Sequence, residues 1–188
     1  MNDYHIPALL YESIEGLNIS SDGIYVDVTY GGGGHSEEIL RKLGHGKLFA
    51  FDQDEDASAN VPRDDRFLFI HGNFRFLKNY LHYYGVKIID GLIADLGVSS
   101  HHFNTPERGF TYRYEAVLDM RMNRLGNLNA EMVINGYEVD RLTRIFREYG
   151  EIRQPGRAAG LCLCAAEFGG MAVGRCGTET RLMGAGIL

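Results

Sequence analysis

The chain has 188 residues, 45% of them hydrophobic and 23% charged, enough for one domain or one domain with a small appendage. No apolar run approaches the ~20 residues of a membrane-spanning helix, and Met1–Pro7 lacks the basic start and apolar core of a secretory signal, so a cytoplasmic protein is expected. A formal net charge of −6 argues against a broad, non-specific polyanion-binding surface but not against a small site for one nucleotide.

Residues 6–17 (I-P-A-L-L-Y-E-S-I-E-G-L) carry apolar positions at helical spacing, with Pro7 tolerable in a first turn. Short strand-like runs follow at Ile24–Thr29, Lys47–Phe51, Phe67–His71 and Ile88–Ala94. Between them Glu37–Leu43 and Phe74–Tyr84 read as helices, and the link 53–65 is polar. Strands spaced in this way need crossover connections, hence a parallel α/β sheet with helices on its faces. The runs are almost continuously apolar, as doubly covered strands should be. From about Thr105 the alternation stops; residues 129–149 predict a helical pair broken at Gly136. The stretch 154–188 is rich in Gly, Ala and Arg and lacks Lys, Asp, Asn and Tyr; a short helix near 158–168 is its one expected element. All three cysteines, Cys162, Cys164 and Cys176, lie there. They are one ligand short of a four-ligand zinc pattern, although a distant His could complete it; thiols in a reducing cytosol, and no metal, are the expectation.

The informative stretch is D-V-T-Y-G-G-G-G-H-S (27–36). A strand running into four glycines, with His35 or Ser36 available to cap the next helix, brings backbone N–H groups to one point. A dinucleotide fingerprint would need a third glycine where Ser36 or Glu37 stands. A phosphate-binding Walker loop would need G-K-[ST], and no lysine precedes Lys42. Asp52 closes the second strand and, as an ionised carboxylate, can accept from both hydroxyls of a ribose; Asp54 is the fallback. Phe74 follows the third strand, where its face could stack on adenine or pack in the core. Asp95 follows the fourth apolar run beside the first strand, an unfavourable place for a carboxylate with no role in a site.

Taken together, H-I-P-A-L-L (5–10), D-V-T-Y-G-G-G-G-H-S (27–36), F-D-Q-D (51–54), D-L-G-V-S-S (95–100), R-G-F-T-Y (108–112) and L-D-M-R-M (118–122) resemble, in order, the bacterial S-adenosylmethionine-dependent rRNA (cytosine-N4)-methyltransferases of the MraW/RsmH family. The resemblance covers roughly residues 4–153. It implies a Rossmann-like core over residues 1–104, the start of an inserted helical substrate-side domain over 105–153, and a divergent tail over 154–188. It implies cofactor contacts at Gly33, Gly34, His35, Asp52, Phe74, Asp95 and His102, the last where many members carry glutamine. The implied substrate is a cytosine of small-subunit rRNA near the decoding centre. The usual D-G-P before L-D-M-R-M is E-A-V here (115–117). Family members continue with further strands, and the compositional break after 153 is what a truncated or out-of-frame gene would produce. A fourth strand left as an open edge invites a homodimer.

Cytosine N4 is a poor nucleophile, and an acceptor on its N–H would localise the lone pair; Asp95, or a carbonyl beside it, is the expected acceptor. Arg108, Arg121 and Arg124 are candidate RNA contacts, with Arg121 equally a partner for Asp119 or Asp95. Phe110 and Tyr112 could stack on a base, Phe110 equally serving the core. The competing readings are an inactive fragment that retains part of a cofactor site and, disfavoured by the glycine spacing, a nucleotide-dependent oxidoreductase.

Overall fold

The structure is a computed structural model and describes residues 7–167, with side chains described through Cys162. In chain order its elements are α1 (Leu10–Gly16), β1 (Ile24–Asp27), α2 (Gly34–Lys42), β2 (Lys47–Asp52), β3 (Phe67–His71), α3 (Leu77–Tyr83) and β4 (Gly91–Ile93). Then come α4 (Ser100–Asn104), α5 (Ala130–Gly136), α6 (Val139–Glu148) and α7 (Pro155–Glu167). Single 3-10 turns occupy Glu55–Asn60, Phe74–Phe76 and Pro106–Arg108. The chain divides into two compact units, Met1–Gly97 and Val98–Leu188.

In the first unit all four strands are parallel, in the order β3-β2-β1-β4. This is the parallel sheet expected from the alternating runs, in the Rossmann-like form that the resemblance implies. Its two faces are both apolar because side chains alternate along each strand. Tyr25 and Leu48 point to the face covered by Leu10 and Ile14 of α1, Ile39 and Leu40 of α2, and Leu43 just after it. Val26, Phe49 and Phe51 point to the other, with Ile70 and Leu81 of α3. The chain steps from β1 outward to β3 and then returns to the far side of β1, so the reversal point lies between β1 and β4. Register aligns Asp27 with Ala50 and Ile93, and Asp52 with His71, placing these strand tips at one end of the sheet.

Several local expectations are corrected. Pro7 does not open a helix: it lies ahead of α1 and packs on Gly34 instead. β1 stops at Asp27 and β4 is only three residues long, because the chain beyond each turns out of the ladder into site loops. His35 and Ser36 do not cap α2; Gly33, in the left-handed region at φ 84°, holds that position, and both residues lie inside the helix. Residues 98–104, read as core from the sequence, fall in the second unit. There Ser99 and His102 form the capping box that opens α4, and the His102 ring meets Phe110 edge-on, contacts made after the first unit ends.

The second unit is helical. α5 ends at Gly136, the expected break, and α6 buries Leu142 while presenting arginines to solvent. α7 packs on α6 and buries Ala159 and Cys162, whose thiol is pushed up by burial. The Cys164 side chain and Cys176 lie outside the described residues. If both sheet faces are cores, Leu48→Ala should cost about 2–5 kcal/mol in urea denaturation. Ile88→Ala, at an exposed position, should stay within about 0.5 kcal/mol.

Candidate functional site

The site grows from a buried carboxylate. Asp27, 1% exposed at the tip of β1, accepts from the Thr29 N–H at Oδ1 (3.0 Å) and from the Ser36 hydroxyl at Oδ2 (2.8 Å). The first bond turns the chain out of the strand; the second fixes the opening turn of α2 against it. The glycine loop is thereby held between two ends of one side chain. Burial pushes the Asp27 carboxyl above the usual carboxylate range, and the Asp52 charge adds to the rise. Ser36, the Thr29 amide and His35 pull the other way.

Two of the glycines are explained inside the protein. A Cβ on Gly33 would come within 2.8 Å of the Tyr30 hydroxyl, and one on Gly34 within 2.5 Å of Pro7. Tyr30 itself lies between Phe67 and Phe69 and donates to the Asn60 carbonyl (2.5 Å). The Asn60 amide in turn donates to the Gly31 carbonyl (3.2 Å). So part of the glycine run serves tight packing, and Gly32 is its exposed member. Nε2 of His35 is a buried polar atom with no hydrogen-bond partner among the described residues.

At the next tip, Asp52 Oδ2 accepts from the Gly31 N–H (2.8 Å) and Oδ1 from the Asp54 N–H (2.9 Å), which leaves each oxygen a further lone pair. Asp54 is buried and caps the following 3-10 turn through the Asp56 N–H, so its carboxylate is occupied structurally. The Asn73 amide donates to the Gln53 side chain (2.9 Å), tying the segment after β2 to the one that carries Phe74. Phe74 is 41% exposed, so it is not a core residue. On the other side of β1, the Asp95 N–H donates to Thr29 Oγ1 (2.7 Å). Asp95 does not end β4 and is exposed, so burial is no argument for its role. Its place is: it stands two residues past Ile93, across the reversal point from the glycine loop.

Gly33, Gly34, His35, Asp52, Phe74 and Asp95 therefore all lie at or just beyond the strand tips of the first unit. Thr29, Asn60, Gln53 and Asn73 hold them there, and the sequence offers no signal for the last three. His102 belongs to the second unit, where its Nδ1 accepts from the Ser99 N–H (3.0 Å) in a capping box. In that unit Arg121 is a structural partner of Asp119, reached by Nε and Nη2, and also donates to the Arg124 and Gly126 carbonyls. The Arg121 guanidinium holds Asp119 below the usual carboxylate range. Arg108 is buried and donates to the Arg121 carbonyl (2.8 Å), which removes it from the candidate RNA contacts.

A cavity of about 640 Å³ opens at the opposite end of the strands, lined by Ile24, Lys47, Phe49, Phe67, Tyr84 and Lys87 among others. Asp22 and Asp65 share that lining with the lysines, so it favours neither sign of charge. It is remote from the tips that the hydrogen-bond network organises.

A doubly covered parallel sheet with a glycine turn and acidic tips at its reversal point defines a Rossmann-like, nucleotide-type binding fold. The chain belongs to the MraW methylase family, whose model matches residues 2–163. It is 59% identical over 152 residues to the ribosomal RNA small subunit methyltransferase H of Flavobacterium johnsoniae, covering 80% of this chain and 50% of that protein. The proteins of that name in Phocaeicola vulgatus and Parabacteroides distasonis are 54% and 52% identical, over 83% and 87% of this chain and 52% and 54% of theirs. The chain thus spans about half the length of these relatives.

Because folding raises the Asp27 pKa above its ordinary 3.8, its neutral form is the one the fold favours. The stabilising contribution is complete below the unfolded-state value and is lost as pH rises through the folded-state one. Asp27→Asn should flatten that part of the pH dependence of the urea midpoint. Ser36→Ala should cost about 1–3 kcal/mol by leaving the buried carboxylate short of a donor. A pH profile unaltered by Asp27→Asn would contradict this assignment.

Proposed function

We propose that this chain carries the S-adenosylmethionine-binding part of an rRNA methyltransferase acting on N4 of a cytosine in small-subunit rRNA near the decoding centre. One observation supports the cofactor assignment: two carboxylates, Asp52 and Asp95, stand beyond neighbouring strands on either side of the glycine loop, Asp52 accepting from the Gly31 N–H and the Asp95 N–H donating to Thr29. That surround suits a cationic nucleoside and opposes a polyphosphate, which the absence of a Walker lysine already disfavours. It also separates this reading from a nicotinamide-dependent oxidoreductase. Family membership and the names of the relatives support rRNA as the substrate class. Among the described residues no helix is long and apolar enough to cross a membrane.

When bound, the cofactor supplies a methyl group carried on a positively charged sulfur. The protein's own task is to bind and orient. The free lone pairs of Asp52 take the ribose hydroxyls, the exposed face of Phe74 takes the adenine, and the backbone from Gly33 to His35 borders the remainder. Asp95 accepts the N4–H of the incoming base, its backbone held by Thr29, and receives the proton as the new bond forms. His102 is the further cofactor contact that the family resemblance implies. A second copy of the chain, paired along the open side of β4, is the proposed oligomeric partner.

Calorimetry with S-adenosylmethionine tests the binding half of the proposal. Asp52→Ala should weaken affinity by about 10- to 100-fold, in the range of a lost charge-assisted pair of hydrogen bonds. Labelled methyl transfer to small ribosomal subunits tests the catalytic half. If transfer occurs, Asp95→Asn should lower kcat by roughly 100-fold or more, with cofactor affinity kept. Binding without transfer would assign the chain a cofactor-holding role only; no binding at all would overturn the proposal.

A further inference from the structure

The loop from Gly109 to Leu118 in the second unit is closed at its neck. Gly109 lies at φ 70°, and a Cβ there would come within 2.5 Å of both the Val117 carbonyl and the Asp119 N–H. The Met120 N–H donates to the Arg108 carbonyl (2.9 Å) and the Asp119 N–H to that of Val117 (2.9 Å). Beneath the neck, the buried Arg108 guanidinium ties down the carbonyls of Arg121 and Met122. Inside the loop Thr111 is buried, its Oγ1 accepting the Arg113 N–H (3.2 Å), and Phe110 tilts against His102 at 5.2 Å.

The tip does the opposite. Tyr112 is 72% exposed and Tyr114 50%, with Arg113 exposed between them. Among the described residues neither tyrosine ring has an aromatic partner and Arg113 has no ion pair. Large aromatic area displayed on an anchored loop has no folding function, and its fixed base keeps the entropic cost of binding low. Two flat rings flanking a guanidinium match the alternation of bases and phosphates along a single strand. The loop's one cation and one carboxylate, Arg113 and Glu115, nearly cancel. Attraction there must come from stacking rather than charge.

We propose that Tyr112 and Tyr114 form a base-stacking platform for single-stranded RNA, with Arg113 contacting one phosphate. The identity of the nucleic acid rests on the methyltransferase reading; the surface rests on its own geometry. The test is fluorescence anisotropy of the full chain with a labelled, pyrimidine-rich single-stranded RNA, without cofactor. Tyr112→Ala and Tyr114→Ala should each weaken binding by about 5- to 150-fold, while Tyr→Phe at either position retains it. Arg113→Gln should reduce the slope of log affinity against log salt by about 0.7, one phosphate on a single strand. All these side chains are exposed, so the variants should melt like the parent.

Absence of RNA binding by the parent chain would overturn the platform, as would a double Tyr→Ala variant that binds equally well. Equal affinity for duplex RNA, or losses on Tyr→Phe as large as on Tyr→Ala, would also overturn it. Because the titration omits the cofactor, its failure is distinguishable from a failed S-adenosylmethionine calorimetry: either result can stand while the other falls.

Discussion

Everything at the strand tips of the first unit is referred to the buried carboxylate of Asp27. One of its oxygens ends β1 by taking the Thr29 amide and the other anchors α2 through Ser36. Thr29 then reaches across to the Asp95 amide, and the Gly31 amide reaches the other way to Asp52. A glycine-rich turn has many conformations and loses much entropy when fixed. Here it is fixed by side-chain bonds at both ends and by Tyr30 and Asn60 beneath it. The network is thus what converts a flexible stretch into a preformed surface. Removing its partners would leave a buried carboxyl group unsatisfied in an apolar setting, a costly kind of defect.

Most of the architecture was legible. Four apolar runs with helical segments between them admit little besides a parallel sheet, and β3 is found over the expected residues. The errors fall at boundaries. β1 and β4 are shorter than their apolar runs because the ladder ends where the site loops begin, and periodicity cannot see a backbone leaving a sheet. The 3-10 segment Glu55–Asn60 was hidden, since its cap Asp54 lies in a polar link, and the helix expected from Phe74 opens as a 3-10 turn over Phe74–Phe76 before α3 begins.

The site was legible in its types and less so in its reasons. The glycine run announces a close approach, yet at Gly33 and Gly34 the neighbours that a Cβ would meet are Tyr30 and Pro7. Asp95 was singled out as a carboxylate that burial would penalise; it is exposed, and its position at the sheet reversal is the better argument. The arginine clusters were ambiguous from sequence because a phosphate contact and a carbonyl clamp use the same side chain. Burial and bonding decide it: Arg108 and Arg121 organise the L-D-M-R-M segment, while Tyr112, at the tip above them, is left facing solvent.

The short fourth strand has a consequence for chemistry. Among the described residues β4 is hydrogen-bonded on one flank only, over three residues, with the Ile24 amide meeting the Asp90 carboxylate just ahead of it. Asp95 hangs from this lightly clamped rail. A polypeptide paired along that flank would stiffen the rail along its length and, with it, the placement of the proposed proton acceptor. Occupancy of an edge and the competence of a carboxylate four residues downstream of Gly91 are then two readings of one mechanical quantity.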